Sequence, residues 1–114
     1  MDKPQIILDL EKIWNCKFEE SYAILRVQSL AYTLNKKGEV IGLNLSGSQI
    51  TNIDALIGLA SLKELNLENT QINDIEALIG LTNLESLNLE NTLINEINAL
   101  KELSKLTILG SALK

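Results

Sequence analysis

Histidine is absent from this 114-residue chain, and cysteine and proline occur once each. Without histidine there is no Ser-His-Asp or Cys-His nucleophile system, and no zinc site that relies on imidazole. The single cysteine, Cys16, excludes a disulfide within the chain and suits a reducing compartment, so the cytoplasm is the expected location. Aromatic residues are scarce, one Trp, one Phe and two Tyr, so any core must be built from aliphatic side chains. Long apolar runs are missing too. No stretch approaches the roughly 20 residues that a membrane span needs, and Asp2, Asp9 and Glu11 interrupt the amino-terminal segment where a secretion signal would lie. Positive charge is in short supply, with 10 Lys and Arg against 15 Asp and Glu. A net charge of -5 opposes nucleic-acid binding, which depends on basic side chains displacing counterions from phosphates.

What the chain has instead is leucine (23), isoleucine (14) and asparagine (12), at a length that suits one domain. The acidity is uneven. Residues 1–42 balance six basic against six acidic side chains, whereas residues 43–114 carry four against nine.

The aliphatic residues recur. Leu43, Leu65 and Leu87 each open an LNL tripeptide, 22 residues apart. Residues 43–64 read LNLSGSQITNIDALIGLASLKE, residues 65–86 LNLENTQINDIEALIGLTNLES, and residues 87–108 LNLENTLINEINALKELSKLTI. Adjacent units agree at 12 and 13 of their 22 positions, and of the nine positions common to all three units seven are Leu or Ile. That is the pattern of a solenoid, in which no unit can bury its apolar side alone and each does so against its neighbours.

The pattern L-x-L-x-x-[ST]-x-I-x-x-I-x-x-L-x-x-L-x-x-L resembles the leucine-rich repeat, and the 22-residue length resembles the short bacterial subclass that includes the internalins. The resemblance implies an α/β fold: a short right-handed arc with a parallel sheet on its concave side and short helical or 3₁₀ turns on its convex side. Family members usually place Asn at the sixth position, where it satisfies backbone groups of the turn. Ser48, Thr70 and Thr92 stand there in this chain, so the resemblance implies a hydroxyl ladder in place of an amide one. Asn69 and Asn91 lie one place off that register and are not assigned to the ladder. The stretch TLNKKGEVIGLNLSGSQI also resembles the lead-in to the repeats of Roco proteins, whose repeat domain precedes a GTPase module. No phosphate-binding Gly-x-x-x-x-Gly-Lys-Ser/Thr motif is present to supply one.

Strand periodicity agrees with the resemblance. The two leucines of each LNL share a parity and point into the core, so Asn44, Asn66 and Asn88 must point to the concave surface. Ile75, Leu78, Leu81 and Leu84 recur every three residues on the return path, as in a tight helical turn. Stacked repeats then align three columns: Gly42, Glu64 and Ser86; Asn44, Asn66 and Asn88; and Ser46, Glu68 and Glu90. These columns are the candidate partner-binding face. Glu68 and Glu90 are the nearest approach to a carboxylate pair, but neighbours on a flat sheet face the same way and cannot flank a scissile bond. They also lack a loop to enclose a cation. No catalytic residue, metal site or cofactor is assigned.

Residues 1–42 read as an N-terminal cap: a helix from Asp2 and Pro4 to about residue 16 with Ile6, Leu10, Ile13 and Trp14 on its apolar side, a second helix over about Glu19–Ser29, and a hairpin that turns at Asn35–Gly38. Trp14, Cys16, Phe18 and Tyr22 are expected to pack over the first repeat's open leucine edge. In the last repeat Lys101 and Glu102 replace the Ile and Gly of the earlier units, a polar finish to the array. The fourth LxL is expected at Leu109-Gly110-Ser111, so residues 109–114 read as a worn strand or stub, and the exposed end as a place where two copies could pair. The expected function is a non-catalytic protein-binding module whose acidic-polar concave face takes a basic partner. The alternative is a structural or regulatory capping fragment of a longer repeat or Roco-like multidomain protein.

Overall fold

A computed structural model describes residues 3–94 and 97–110. Its centre is one six-stranded sheet, ordered as in the chain: β1 (Glu19–Glu20), β2 (Ala31–Leu34), β3 (Val40–Asn44), β4 (Glu64–Asn66), β5 (Ser86–Asn88) and β6 (Thr107–Leu109). All neighbours are parallel except β2 and β3, the hairpin. Each repeat leaves its strand, runs along the opposite side of the core through a 3₁₀ turn (Asp54–Leu56, Glu76–Leu78 or Asn98–Leu100) and returns to the next strand. The first two turns start on an aspartyl or asparaginyl side chain: Asn52 Oδ1 accepts from the N–H of Asp54 at 2.8 Å and Asp74 Oδ1 from that of Glu76 at 2.9 Å.

The leucine and isoleucine columns make one continuous core. Leu43, Leu65 and Leu87 are buried one above another, as are Leu45, Leu67 and Leu89, with Leu56, Leu78 and Leu100 lining the turn side. Each such side chain contributes about 1.5–3 kcal/mol when fully removed from water. The chain turns sharply after each strand at Gly47, Asn69 and Asn91, whose φ angles are 68°, 58° and 56°. Only glycine, and asparagine among side-chain-bearing residues at small cost, sits readily in this left-handed region, which explains the residue choice at this column.

Three expectations for the cap need correction. The segment Glu19–Ser29 is not a helix. The N–H of Glu19 donates to Leu30 O and that of Ser21 to Tyr32 O, so its first residues extend the sheet, and a single turn at Ala23–Val27 follows. Its apolar residues, Tyr22 to Leu25 and Val27, are bunched rather than spaced along a helical face, and Tyr22 is 87% exposed rather than packed on the repeat. The first helix, α1, does form, over Gln5–Trp14 with Pro4 at its N-cap; Asp2 lies outside the described residues. Its buried face is Ile7, Leu10 and Glu11, one residue round from the stripe that includes Ile13, which is exposed. Phe18 is fully buried and its ring lies 6.3 Å from that of Trp14, so these two, with Cys16, close the leucine edge as expected.

Glu11 is an acid on the buried face. One carboxylate oxygen accepts from Lys3 Nζ at 2.6 Å and from the N–H of Phe18 at 2.8 Å, which ties the segments before and after α1 to that helix. The Lys3 hydrogen bond, then the Phe18 amide, hold the Glu11 carboxyl below the usual range, and the same contact with Glu11 raises Lys3. A lowered carboxyl contributes stability that is present above its unfolded value and lost as pH falls through its folded value. The raised amine contributes stability that is present below its unfolded value and lost as pH rises through its folded one. The cap is therefore expected to be tightest between the carboxylate and amine ranges and to loosen in acid. Thermal melts from pH 7 to pH 3 check this, with Glu11→Gln flattening the acid limb.

The last repeat is one residue short. Leu87 pairs with Ile108, not Leu109, so the unit from β5 to β6 spans 21 residues where the two before it span 22. The fourth strand therefore begins its inward pattern at Ile108, correcting the reading that starts it at Leu109. Leu109 falls in the asparagine column, where it is 52% exposed. Ser111 to Lys114 lie outside the described residues. The change to Lys101 is also no cap, because Ile57 and Ile79 at the same place in earlier repeats are exposed already.

Candidate functional site

The strand register brings together the columns that the repeats predict: Gly42, Glu64 and Ser86 in one, Asn44, Asn66 and Asn88 in the next. β6 extends them with Thr107 and Leu109. The asparagines do face away from the leucine core, yet they are not surface groups. Asn44, Asn66 and Asn88 are buried, and each Oδ1 accepts the N–H two residues further on, from Ser46, Glu68 and Glu90 at 2.8–2.9 Å. An asparagine that folds its oxygen back on its own strand fixes the exit from that strand, a structural task. The three are therefore removed from the set of side chains that a partner could pack against.

The amino-terminal part of the concavity is occupied. Asn44 Nδ2 donates to the carbonyls of both Ile24 and Val27 at 2.7 Å, so the segment after β1 lies as a strap across the first repeat strand. A hydroxyl bond from Thr33 to the Ser21 carbonyl secures its start. Ile24 is buried over Gly42, where an added Cβ would stand 2.9 Å from Ile24 Cγ1. Glycine at this place, against Glu64 and Ser86 in the later repeats, was the one sign in the sequence that something else fills the space. Ser46 is buried as well, its Oγ without a hydrogen-bond partner among the described residues.

What remains open on the concave face belongs to the second and third repeats. Glu64, Glu68, Ser86 and Glu90 are half-buried, with Thr107 and Leu109 exposed beyond them. Asn88 Nδ2 reaches Glu68 Oε1 only at the 3.5 Å limit, so the carboxylates are not consumed by the sheet beneath them. Among the described residues no lysine or arginine pairs with them; the ion pairs present both involve Glu11 in the cap. Among the described residues no three His, Cys, Asp or Glu side chains come together so as to hold a metal ion, and none of the described helices is long and apolar enough to cross a membrane.

The sixth-position hydroxyls act within a repeat rather than between repeats. Thr70 Oγ1 donates to Leu67 O at 2.7 Å and Thr92 Oγ1 to Leu89 O at 2.8 Å, while Ser48 Oγ only accepts, from the N–H of Ile50 at 3.4 Å. The bonds that cross from one repeat to the next come from residues not assigned to the ladder: Asn91 Nδ2 to Asn69 Oδ1, Asn83 Nδ2 to Ala60 O, and Ser61 Oγ to Val40 O. The 22-residue spacing of Asn69 and Asn91, and of Ser61 and Asn83, could have revealed these brackets. A second concavity of about 720 Å³ lies between the end of α1 and the first repeat, with Trp14 Nε1 donating to Asn52 O at its edge. Cys16 lines it, and burial pushes its thiol up rather than activating it.

These features meet what is known of other proteins at the level of the repeat. No curated protein matches the chain. Among solved structures, the internalin InlF of Listeria monocytogenes is similar over 74% of this chain with a TM-score of 0.60 at 20% identity, a likeness of fold. InlC2, another internalin from the same organism, is similar over 58% of the chain at 28% identity with a TM-score of 0.46. The chain spans 27% of the length of the first and 39% of the second. Two overlapping stretches, residues 39–80 and 61–102, match the family described as "Leucine Rich repeats (2 copies)", and together they take in more than half of the chain. By that match and by its stacked strands and 3₁₀ turns, the chain belongs to the leucine-rich repeat family.

Proposed function

We propose that this protein is a non-catalytic interaction module that binds a partner protein through the concave face of its second and third repeats. The observation that carries the proposal is the group of Glu64, Glu68 and Glu90, three carboxylates from two neighbouring columns on the open part of the concavity, none of them in an ion pair among the described residues. A face of one sign attracts its opposite, so the partner presents a basic surface. Ser86 and the buried Ser46 complete the outer columns, but the contact area lies toward the carboxy-terminal side. The lone Cys16 fits a cytoplasmic setting. Pairing of two copies through the carboxy-terminal end, the other interaction that the sequence suggests, would use a separate surface.

The alternative is a capping segment of a longer leucine-rich repeat or Roco-like protein. It is favoured by the amino-terminal cap, within residues 1–42, where Ile7, Leu10 and Phe18 pack into the core ahead of the repeats expected over 43–108 and the short remainder of 109–114.

The test uses wild type and a Glu68→Lys/Glu90→Lys double variant as paired baits in lysate. Under the proposed function a retained protein is released as salt rises past about 0.15 M, where screening shortens to roughly 8 Å, and the variant fails to retain it. Retention that ignores both changes would place the contact on the convex face or the cap and overturn the reading.

A further inference from the structure

On the first strand of the repeat array the chain holds a piece of itself. Asn44 keeps its Oδ1 for its own strand and gives Nδ2 to two main-chain carbonyls of the strap, Ile24 O and Val27 O, both at 2.7 Å. Carbonyls three residues apart converge on one nitrogen because the strap turns there: the N–H groups of Arg26 and Val27 both return to Ala23 O, at 2.9 and 3.2 Å. What the concave asparagine takes is therefore uncharged backbone, with the aliphatic side chain of Ile24 laid over Gly42.

The next asparagine of the column has no such occupant. Asn66 Oδ1 is committed to the N–H of Glu68, while Nδ2 has no hydrogen-bond partner among the described residues, although the residue is only 1% exposed. The cause lies one repeat back. Asn88 Nδ2 has Glu68 Oε1 at 3.5 Å. The coil stays in register beyond β3 and β4, with the N–H of Leu45 on Asn66 O and that of Gly47 on Glu68 O, so Ser46 stands to Asn66 as Glu68 stands to Asn88. A serine side chain ends two atoms short of a glutamate's carboxylate oxygens, and Ser46 Oγ is without a partner as well. Of the two, only Ser46 Oγ is wholly sealed from solvent. Buried polar groups are nearly always paired, and an unpaired one carries a desolvation cost that an acceptor would relieve.

We propose that Asn66 Nδ2 receives a main-chain carbonyl of the partner protein, brought by a turn like that of the strap and carrying a lysine or arginine where the strap has Ile24. The inference rests on the concave reading proposed above and adds what the partner presents there. Asn66 gives a partner no surface to pack on, only amide hydrogens for a single oxygen. A carboxylate oxygen would also accept from them, but Glu64 and Glu68 stand two residues to either side of Asn66 and repel it, whereas a carbonyl is uncharged. Glu64 takes the column place of Gly42, so the side chain laid over it meets a carboxylate instead of bare backbone. An aliphatic residue suits the first place and a basic one the second. All of these groups belong to the first and second repeats, whose strands β3 and β4 are paired on both edges.

The probe is the strap segment Ala23–Gln28 as a capped peptide with Ile24→Lys, titrated into the full chain while backbone and side-chain amide resonances are followed by NMR. The Asn66 Nδ2 resonance is expected to move and saturate, and lysine amide at the same concentration to leave it in place. Ser46→Glu separates this contact from simple attraction. It adds a charge that a basic peptide seeks, yet supplies the acceptor that the later repeats have, so the peptide should bind about fivefold more weakly, as for the loss of one hydrogen bond, and not more tightly. Asn66→Ala removes the donor without changing charge and should weaken binding by a similar factor in a chain whose melt shows it folded. Movement around Glu64, Glu68 and Glu90 with Asn66 Nδ2 unmoved, tighter binding by Ser46→Glu, or unchanged binding by Asn66→Ala would each overturn the inference and leave the acidic face as the binding site. A concave face on which nothing moves would overturn both readings.

Discussion

A chain lacking residues 1–30 is expected to lose cooperative unfolding. The deletion removes Ile7, Leu10 and Phe18, which seal the Leu43 and Leu45 edge, together with Ile24 of the strap, all with 2% exposure or less. At about 1.5–3 kcal/mol for each buried side chain, the loss is comparable with the whole stability of a small domain, about 5–15 kcal/mol. Three repeats are near the minimum for a solenoid and have no reserve to absorb it. The expected product is aggregated, or melts gradually by circular dichroism with an early rise in dye binding. Phe18→Ala is the same experiment on one side chain: it should cost about 3–5 kcal/mol in a denaturant melt. A deletion product that is soluble and melts sharply would show the repeats to be self-sufficient.

The second large effect is expected at Asn44. Its side chain makes three hydrogen bonds, two of them buried, accepting from Ser46 and donating to Ile24 and, part-buried, to Val27. Asn44→Ala leaves two carbonyls and one N–H without partners, for a loss of about 3 kcal/mol or more. It also releases the strap, so Arg26, exposed on that segment, should become the earliest tryptic cleavage site. Asn66→Ala, which orphans only the Glu68 N–H among the bonds described, should cost about 1–2 kcal/mol and leave Arg26 as resistant as before. Equal effects at the two positions would mean that Asn44 has no special hold on the strap.

The arc was legible in the chain because its cause is periodic. A leucine at 43, 65 and 87 with another two residues on admits one arrangement of inward side chains, and the strand register follows that spacing. Parity likewise showed that the asparagines face away from the core. It could not show that they are buried, because burial depends on what lies above them. The strap is a long-range contact of a non-repeating segment, and Ile24 and Val27 have no counterpart 22 residues on by which to recognise it. The helix expected at Glu19–Ser29 failed for a related reason: its weak pattern was overruled by the free edge of β2, which offered the carbonyls of Leu30 and Tyr32 to its amides. At the other end, a deletion of one residue between Leu106 and Ile108 is invisible to a fixed period, yet in a strand it transfers every side chain to the opposite face.

That short last unit has a consequence for how the protein can change its size. The unit of residues 65–86 begins and ends at equivalent points of the coil, with a left-handed asparagine at the same turn as its neighbour and the same inward leucines on both flanks. A gene that copied it or excised it whole would reproduce junctions that already exist, so the arc can lengthen or shorten from its middle in steps of one strand. The units on either side have no such freedom: one is fitted to a helix and a phenylalanine and the other is out of phase by a residue, so a copy of either would create a junction that the coil does not already contain.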